Sequence, residues 1–220
     1  MQGHWEAAIN DATQAIALAP KSDFAWGNRG LARKEKGDWQ GALEDMNQAL
    51  KLNPKSAEHW HNRASLYFHR QEYERALSDE TAAIKRHPDW AEAWADRGSL
   101  RYRLGDLKGA LADFDQSLRL KPRALAFFNR GALRYAQREF AQAQADFTQA
   151  VTLDPNHADA WAMRGLCRLA LGAAAAAQSD FDQCLQLDPR LRDSLEQKIQ
   201  ALKTGKSWLH TLPPERNKSL

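Results

Sequence analysis

The chain has 220 residues, 43% of them hydrophobic and 27% charged, proportions near those of ordinary globular proteins, which excludes wholesale disorder and collagen-like fibres. A net charge of +3, from 31 basic against 28 acidic residues, is too balanced to announce a nucleic-acid partner, and no apolar run is long enough to span a membrane. Two cysteines cannot build a disulfide framework, and the start, MQGHWEAAINDA, lacks a basic segment followed by an apolar one, so a reducing, cytoplasmic setting is expected.

Read from the N-terminus, the first element is a helix over residues 6–18, closed by Pro20. Pro20, Pro54, Pro88, Pro122, Pro155 and Pro189 are spaced by 34, 34, 34, 33 and 34 residues, and a fixed period of that size marks a repeat array. With each proline at position 32, full units occupy 23–56, 57–90, 91–123, 124–157 and 158–191. Position 4 is then Trp26, Trp60, Trp94, Phe127 and Trp161, and position 8 is Gly30, Ala64, Gly98, Gly131 and Gly165. Position 20 is alanine throughout, from Ala8 to Ala177, and position 27 is always small, from Ala15 to Cys184.

Each unit is expected to form two helices, over positions 1–14 and 17–30. Gly37, Gly105 and Gly172 at position 15 supply a helix-ending residue, and the proline disfavours helix at the residue before it. Small residues at positions 8, 20 and 27 let the two axes approach, while the ring at position 4 fills the space between them. A final helix over 191–203 carries Leu195, Ile199 and Leu202 on one face, as a solvating cap would. The tail 204–220, with Pro213, Pro214 and mixed charge, is expected to be disordered.

These columns resemble the tetratricopeptide repeat, as in WGNRG (26–30) with GALEDMNQALKLNP (41–54) and WADRG (94–98) with GALADFDQSLRLKP (109–122). The resemblance covers residues 1–203. It implies an all-α fold, a right-handed superhelical solenoid of helix-turn-helix repeats that serves protein–protein interaction. Residues 1–22 match only the second half of a unit, so helix 6–18 is expected to show an apolar flank. Either the chain is a fragment of a longer protein, such as the recognition domain of an enzyme or complex, or that flank associates with another copy.

Position 7 is an arginine in every full unit (Arg29, Arg63, Arg97, Arg130, Arg164), and position 11 adds Arg33, Arg101, Arg134 and Arg168. At about 100° per residue, positions 4, 7 and 11 share one inward stripe, and a buried charge without a partner is very costly. Position 23 supplies Asp45, Asp79, Asp113, Asp146 and Asp180, preceded by Asp11 in the half unit. The expectation is a repeated structural ion pair, formed within a unit or across to the next. The competing reading is a basic ladder for phosphates or acidic peptides.

The opposite face of the first helices is the expected concave groove. Position 6 places Asn28, Asn62, Asp96 and Asn129 there, with His61 and Phe128 at position 5 and Phe68, Tyr102 and Tyr135 at position 12. An asparagine has one acceptor and two donors and can grip a peptide backbone without reading its side chains, while the rings would hold apolar or proline side chains. The bland alternative is that the rings pack between first helices and the asparagines bond to a neighbouring helix. Family members that clamp a C-terminal carboxylate need basic residues here. Glu58, Glu92 and Asp96 stand in their place, so chaperone tails of that kind are not expected as partners.

No catalytic constellation is expected, nor a cofactor or metal. TGKS (204–207) lacks the upstream glycine of a phosphate-binding loop. His59 and His61 with His69 could in principle hold a metal, but His59 and His61 are two apart on a helix and point different ways, and Cys167 and Cys184 occupy places that want small buried residues.

Overall fold

The computed structural model describes residues 2–204, without the side chains of residues 2 and 3. Met1 and residues 205–220 lie outside the described residues, and with them the expected disordered tail and most of TGKS. The described residues form twelve α-helices and one 3-10 turn, with no strand among them.

The first helix, α1 (Gln2–Leu18), begins ahead of its expected start. Helix pairs follow: α2 (Asp23–Lys36) with α3 (Trp39–Leu52), and α4 (Ala57–His69) with α5 (Tyr73–Arg86). Then come α6 (Ala91–Arg103), α7 (Leu107–Leu120), α8 (Ala124–Ala136) with α9 (Phe140–Leu153), and α10 (Ala158–Ala170) with α11 (Ala174–Leu187). Pro189–Leu191 is a 3-10 turn, after which α12 (Arg192–Thr204) closes the described chain. The molecule is therefore an all-α helical-repeat protein. Its backbone contacts divide the described residues into two compact units, the first ending at Asp106 and the second beginning at Leu107, a division that falls between α6 and α7.

Local chemistry explains the helix ends. The Ala25 and His59 backbone N–H groups donate to the Ser22 and Ser56 hydroxyls at 3.3 and 3.2 Å, capping α2 and α4. First helices end in one motif: the N–H of position 16 returns to the carbonyl of position 11, as Asp38 does to Arg33 and Glu72 to Tyr67, both at 2.9 Å. That closure sets position 15 in the left-handed region, where glycine is unstrained. Gly37, Gly105 and Gly172 sit there at φ of 90°, 84° and 84°, but so do Gln71 and Arg138 at 61° and 62°.

In the first unit, Ala42, Leu43, Met46 and Leu66 form one apolar cluster, and Ala64, Ala76 and Leu100 form another, covered by Phe68 and Tyr73. Helix α1 rests on α2 through buried Ala12 and Ile16, while Trp5 and Leu18 are exposed. In the second unit a single core runs from Phe128 and Phe147 through Met163 and Phe181 to Leu195 of α12, with Ile199 and Leu202 packed against it.

Candidate functional site

The tryptophan at position 4 does more than fill space. Nε1–H of Trp26, Trp60, Trp94 and Trp161 donates to the carbonyl of Pro20, Pro54, Pro88 and Pro155 at 3.0, 2.9, 2.7 and 2.9 Å. Each ring is thereby tied to the end of the preceding repeat. Above each ring stands the guanidinium of position 7, with Cζ of Arg29, Arg63, Arg97 and Arg164 at 4.8, 4.8, 4.6 and 4.5 Å from the ring centre.

Three of these arginines reach the aspartate of their own repeat. Arg29 meets Asp45 at 2.9 and 2.7 Å, Arg63 meets Asp79 at 2.7 and 3.0 Å, and Arg164 meets Asp180 at 2.9 and 2.6 Å, each in a two-pronged grip. Arg130 grips Asp146 in the same way. Such forks are the strong form of a charged hydrogen bond. Position 11 adds a second cation, Arg33 on Asp45, Arg134 on Asp146 and Arg168 on Asp180, at 2.9, 2.9 and 2.8 Å. The remaining Nη1 turns backward, from Arg63 to Asn47 at 2.8 Å and from Arg130 to Asp115 at 2.7 Å. Arg29 does the same to Thr13 at 3.4 Å, while Asp11 is exposed. Asp113 and Arg97 are buried with these columns.

The groove residues separate into three groups. Asn28 is exposed, and Asn62, Asp96 and Asn129 are half-buried at the same register of their helices. Phe68 and Tyr102 are also half-buried. Phe68 lies beneath Arg103, 5.1 Å from its Cζ, and beside Tyr73. Burial pushes the Tyr102 phenol pKa up. Phe128 and Tyr135 correct the sequence reading: at 7% and 4% exposure they belong to the core. Phe128 is held between Phe147 and His157, with ring centres at 5.5 and 4.7 Å, and Tyr135 meets Phe140 edge-on at 5.2 Å.

The three histidines of α4 find separate partners. Nε2 of His59 is 3.1 Å from Asp23, which also accepts from Asn53 at 2.8 Å. Burial opposes ionisation of Asp23, yet these hydrogen bonds and the His59 charge hold its pKa below the usual range. His69 lies against Trp39, with ring centres 4.5 Å apart. Nδ1 of His61 is 2.8 Å from Oε1 of Glu80 and 4.0 Å from Asp96, and its ring lies 4.5 Å from that of Trp90.

Sequence reasoning missed Glu80. It is 1% exposed, and its Oε2 has no hydrogen-bond partner. Burial raises its pKa. Burial would lower that of His61, but the bond to Glu80 and the charges of Glu80 and Asp96 raise it. Lys34 approaches the same region, donating to the Ser65 hydroxyl at 3.4 Å, and burial lowers its pKa. Position 24 could have signalled Glu80, because the other full repeats carry Met46, Phe114, Phe147 and Phe181 there.

Cys167 and Cys184 are free, buried thiols. Burial raises both pKa values, that of Cys184 to about 11 with the Asp159 charge contributing. No helix among the described residues is long and apolar enough to cross a membrane.

Two family models, each described as tetratricopeptide repeat, match residues 28–80 with 128–190 and residues 91–124. No curated protein sequence matches the chain significantly. Among solved structures, the chain is similar to pilF of Pseudomonas aeruginosa, at 18% identity and a TM-score of 0.80 over 93% of this chain and 91% of that one. It is similar to YrrB, described as a TPR protein with an unusual peptide-binding site, at 20% identity and a TM-score of 0.69 over 85% and 97% of the two chains. MamA of Desulfovibrio magneticus RS-1 is similar at 16% identity and a TM-score of 0.69, over 76% and 96%. At these identities the likeness is one of fold.

Proposed function

The chain belongs to the tetratricopeptide repeat family, and on that premise we propose that it is a non-catalytic interaction scaffold, binding an extended peptide or a helix in the concave groove lined by its first helices. The observation that carries this reading is how the polar columns divide. Arg29, Arg63, Arg130 and Arg164 at position 7 are engaged with Asp45, Asp79, Asp146 and Asp180 at position 23. Asn28 stays exposed and Asn62 half-exposed, at one register on α2 and α4, which touch directly. Two amides one repeat apart can hydrogen-bond a peptide backbone and leave its side chains unread.

Glu58, Glu92 and Asp96 border that face, which suits a peptide of some basic character and disfavours a terminal carboxylate. The two free thiols suit a reducing cytoplasm. A pull-down from cell extract, comparing wild type with the Asn28→Ala/Asn62→Ala double variant, tests the reading. Partners retained by wild type should be depleted on the variant at unchanged melting temperature. A partner set that binds both proteins equally would remove the asparagine face from consideration.

A further inference from the structure

Positions 5, 24 and 34 of one repeat, and position 6 of the next, come together at equivalent places in different repeats. In repeat 4 they carry Phe128, Phe147 and His157, and position 6 of repeat 5 is Met163. The two phenylalanines and Met163 share one buried apolar cluster. That is how this corner is filled when only packing is at stake. In repeat 2 the same places carry His61, Glu80 and Trp90, and position 6 of repeat 3 is Asp96. Three apolar groups are replaced by an imidazole and two carboxylates, all from the first compact unit.

One ligand-type atom from each of these three residues lies within 4.8 Å of the other two, and this is the one such trio among the described residues. Ligands about 2.1 Å from a shared ion stand roughly 3–4 Å apart, so small side-chain rotations close the site. Glu80 supplies the independent sign of a missing ligand. Its carboxylate is 1% exposed in a position built for Met or Phe, and Oε2 meets no donor. Leaving a buried carboxylate oxygen unmatched is costly; a bound cation removes that cost.

We propose that His61, Glu80 and Asp96 form a binding site for a divalent transition metal of the zinc class. One imidazole nitrogen with two carboxylate oxygens is a borderline donor set, suited to zinc or cobalt rather than to magnesium or calcium, which favour oxygen alone. On binding, the ion takes the place of the direct hydrogen bond between His61 and Glu80. His61 and Asp96 side chains are each 13% exposed, so the ion has a route in and an outward position open to water or to a donor from a bound partner.

The test is titration of the full chain with zinc chloride by calorimetry at neutral pH, with magnesium and calcium chloride alongside. Cobalt absorption reports the ligand field. Wild type should take up one zinc per chain and ignore the other two ions. Glu80→Met, which installs the residue type found at Met46, should fold and bind zinc at least tenfold more weakly. Asp96→Asn, a same-size change at a position less buried than Glu80, tests the same site where Glu80→Met fails to fold, and should also weaken binding at least tenfold. The cobalt visible band should disappear in either variant. Absence of zinc binding by wild type, equal binding by the folded variants, or magnesium binding as tight as zinc would each overturn the assignment.

Discussion

Trp94 reaches back to the carbonyl of Pro88, 2.7 Å from its indole nitrogen, and so spans the boundary between two repeats. Three other tryptophans make the same bond across six residues, whereas Phe127 stands five residues after Pro122, behind the one 33-residue unit. A ring without a donor therefore occurs where the spacing is short. Trp94→Phe should cost about 1 kcal/mol, the usual net worth of a hydrogen bond, read as a lower urea midpoint. Phe127→Trp should gain nothing comparable. A Trp94→Phe midpoint equal to wild type would mean that the bond contributes only geometry.

Arg164 and Asp180 form an enclosed pair, with side chains 10% and 1% exposed. Asp180→Ala leaves the Arg164 guanidinium buried without its counter-charge and should cost about 3–5 kcal/mol. Removing both charges with Arg164→Met/Asp180→Leu should cost less than Asp180→Ala alone, because both desolvation penalties vanish together. Denaturant midpoints of the three proteins check this. A double variant less stable than Asp180→Ala would show the pair to be net stabilising rather than a fixer of register.

Gln71 and Arg138 hold a left-handed backbone that costs a residue with a Cβ roughly 1–2 kcal/mol. Glycine pays part of this back through greater freedom of the unfolded chain. Gln71→Gly and Arg138→Gly should each stabilise by about 0.5–1 kcal/mol, and Gly105→Ala should destabilise by a similar amount. Thermal unfolding decides the sign, and a lower melting temperature for either glycine variant contradicts the strain.

The helices were legible because the period repeats the same physics five times, with small residues at closest approach, a ring between axes and a stop at each end. The arginine and aspartate columns were legible because burial forces charges to find each other. Phe128 and Tyr135 were misjudged because a wheel shows which way a residue points, not what stands there. Phe147, His157 and Phe140 from other elements enclose them. The His61, Glu80 and Asp96 cluster was hidden for a related reason: it joins three helices, and its signal is one off-type residue at position 24. The tryptophan bonds to proline carbonyls escaped because their acceptor is backbone, which no side-chain pattern reports.

Arg63 holds Asp79 within its own repeat and Asn47 in the one before, while Trp60 holds Pro54. A gene segment copied from just after one proline through the next would carry the Arg63–Asp79 pair intact and cut both backward links. The inherited module is thus complete internally but adhesive on one side only. A new copy fits wherever its upstream neighbour offers a small acceptor such as Thr13, Asn47 or Asp115. Lengthening such an array demands little of the newcomer and one modest residue of the host.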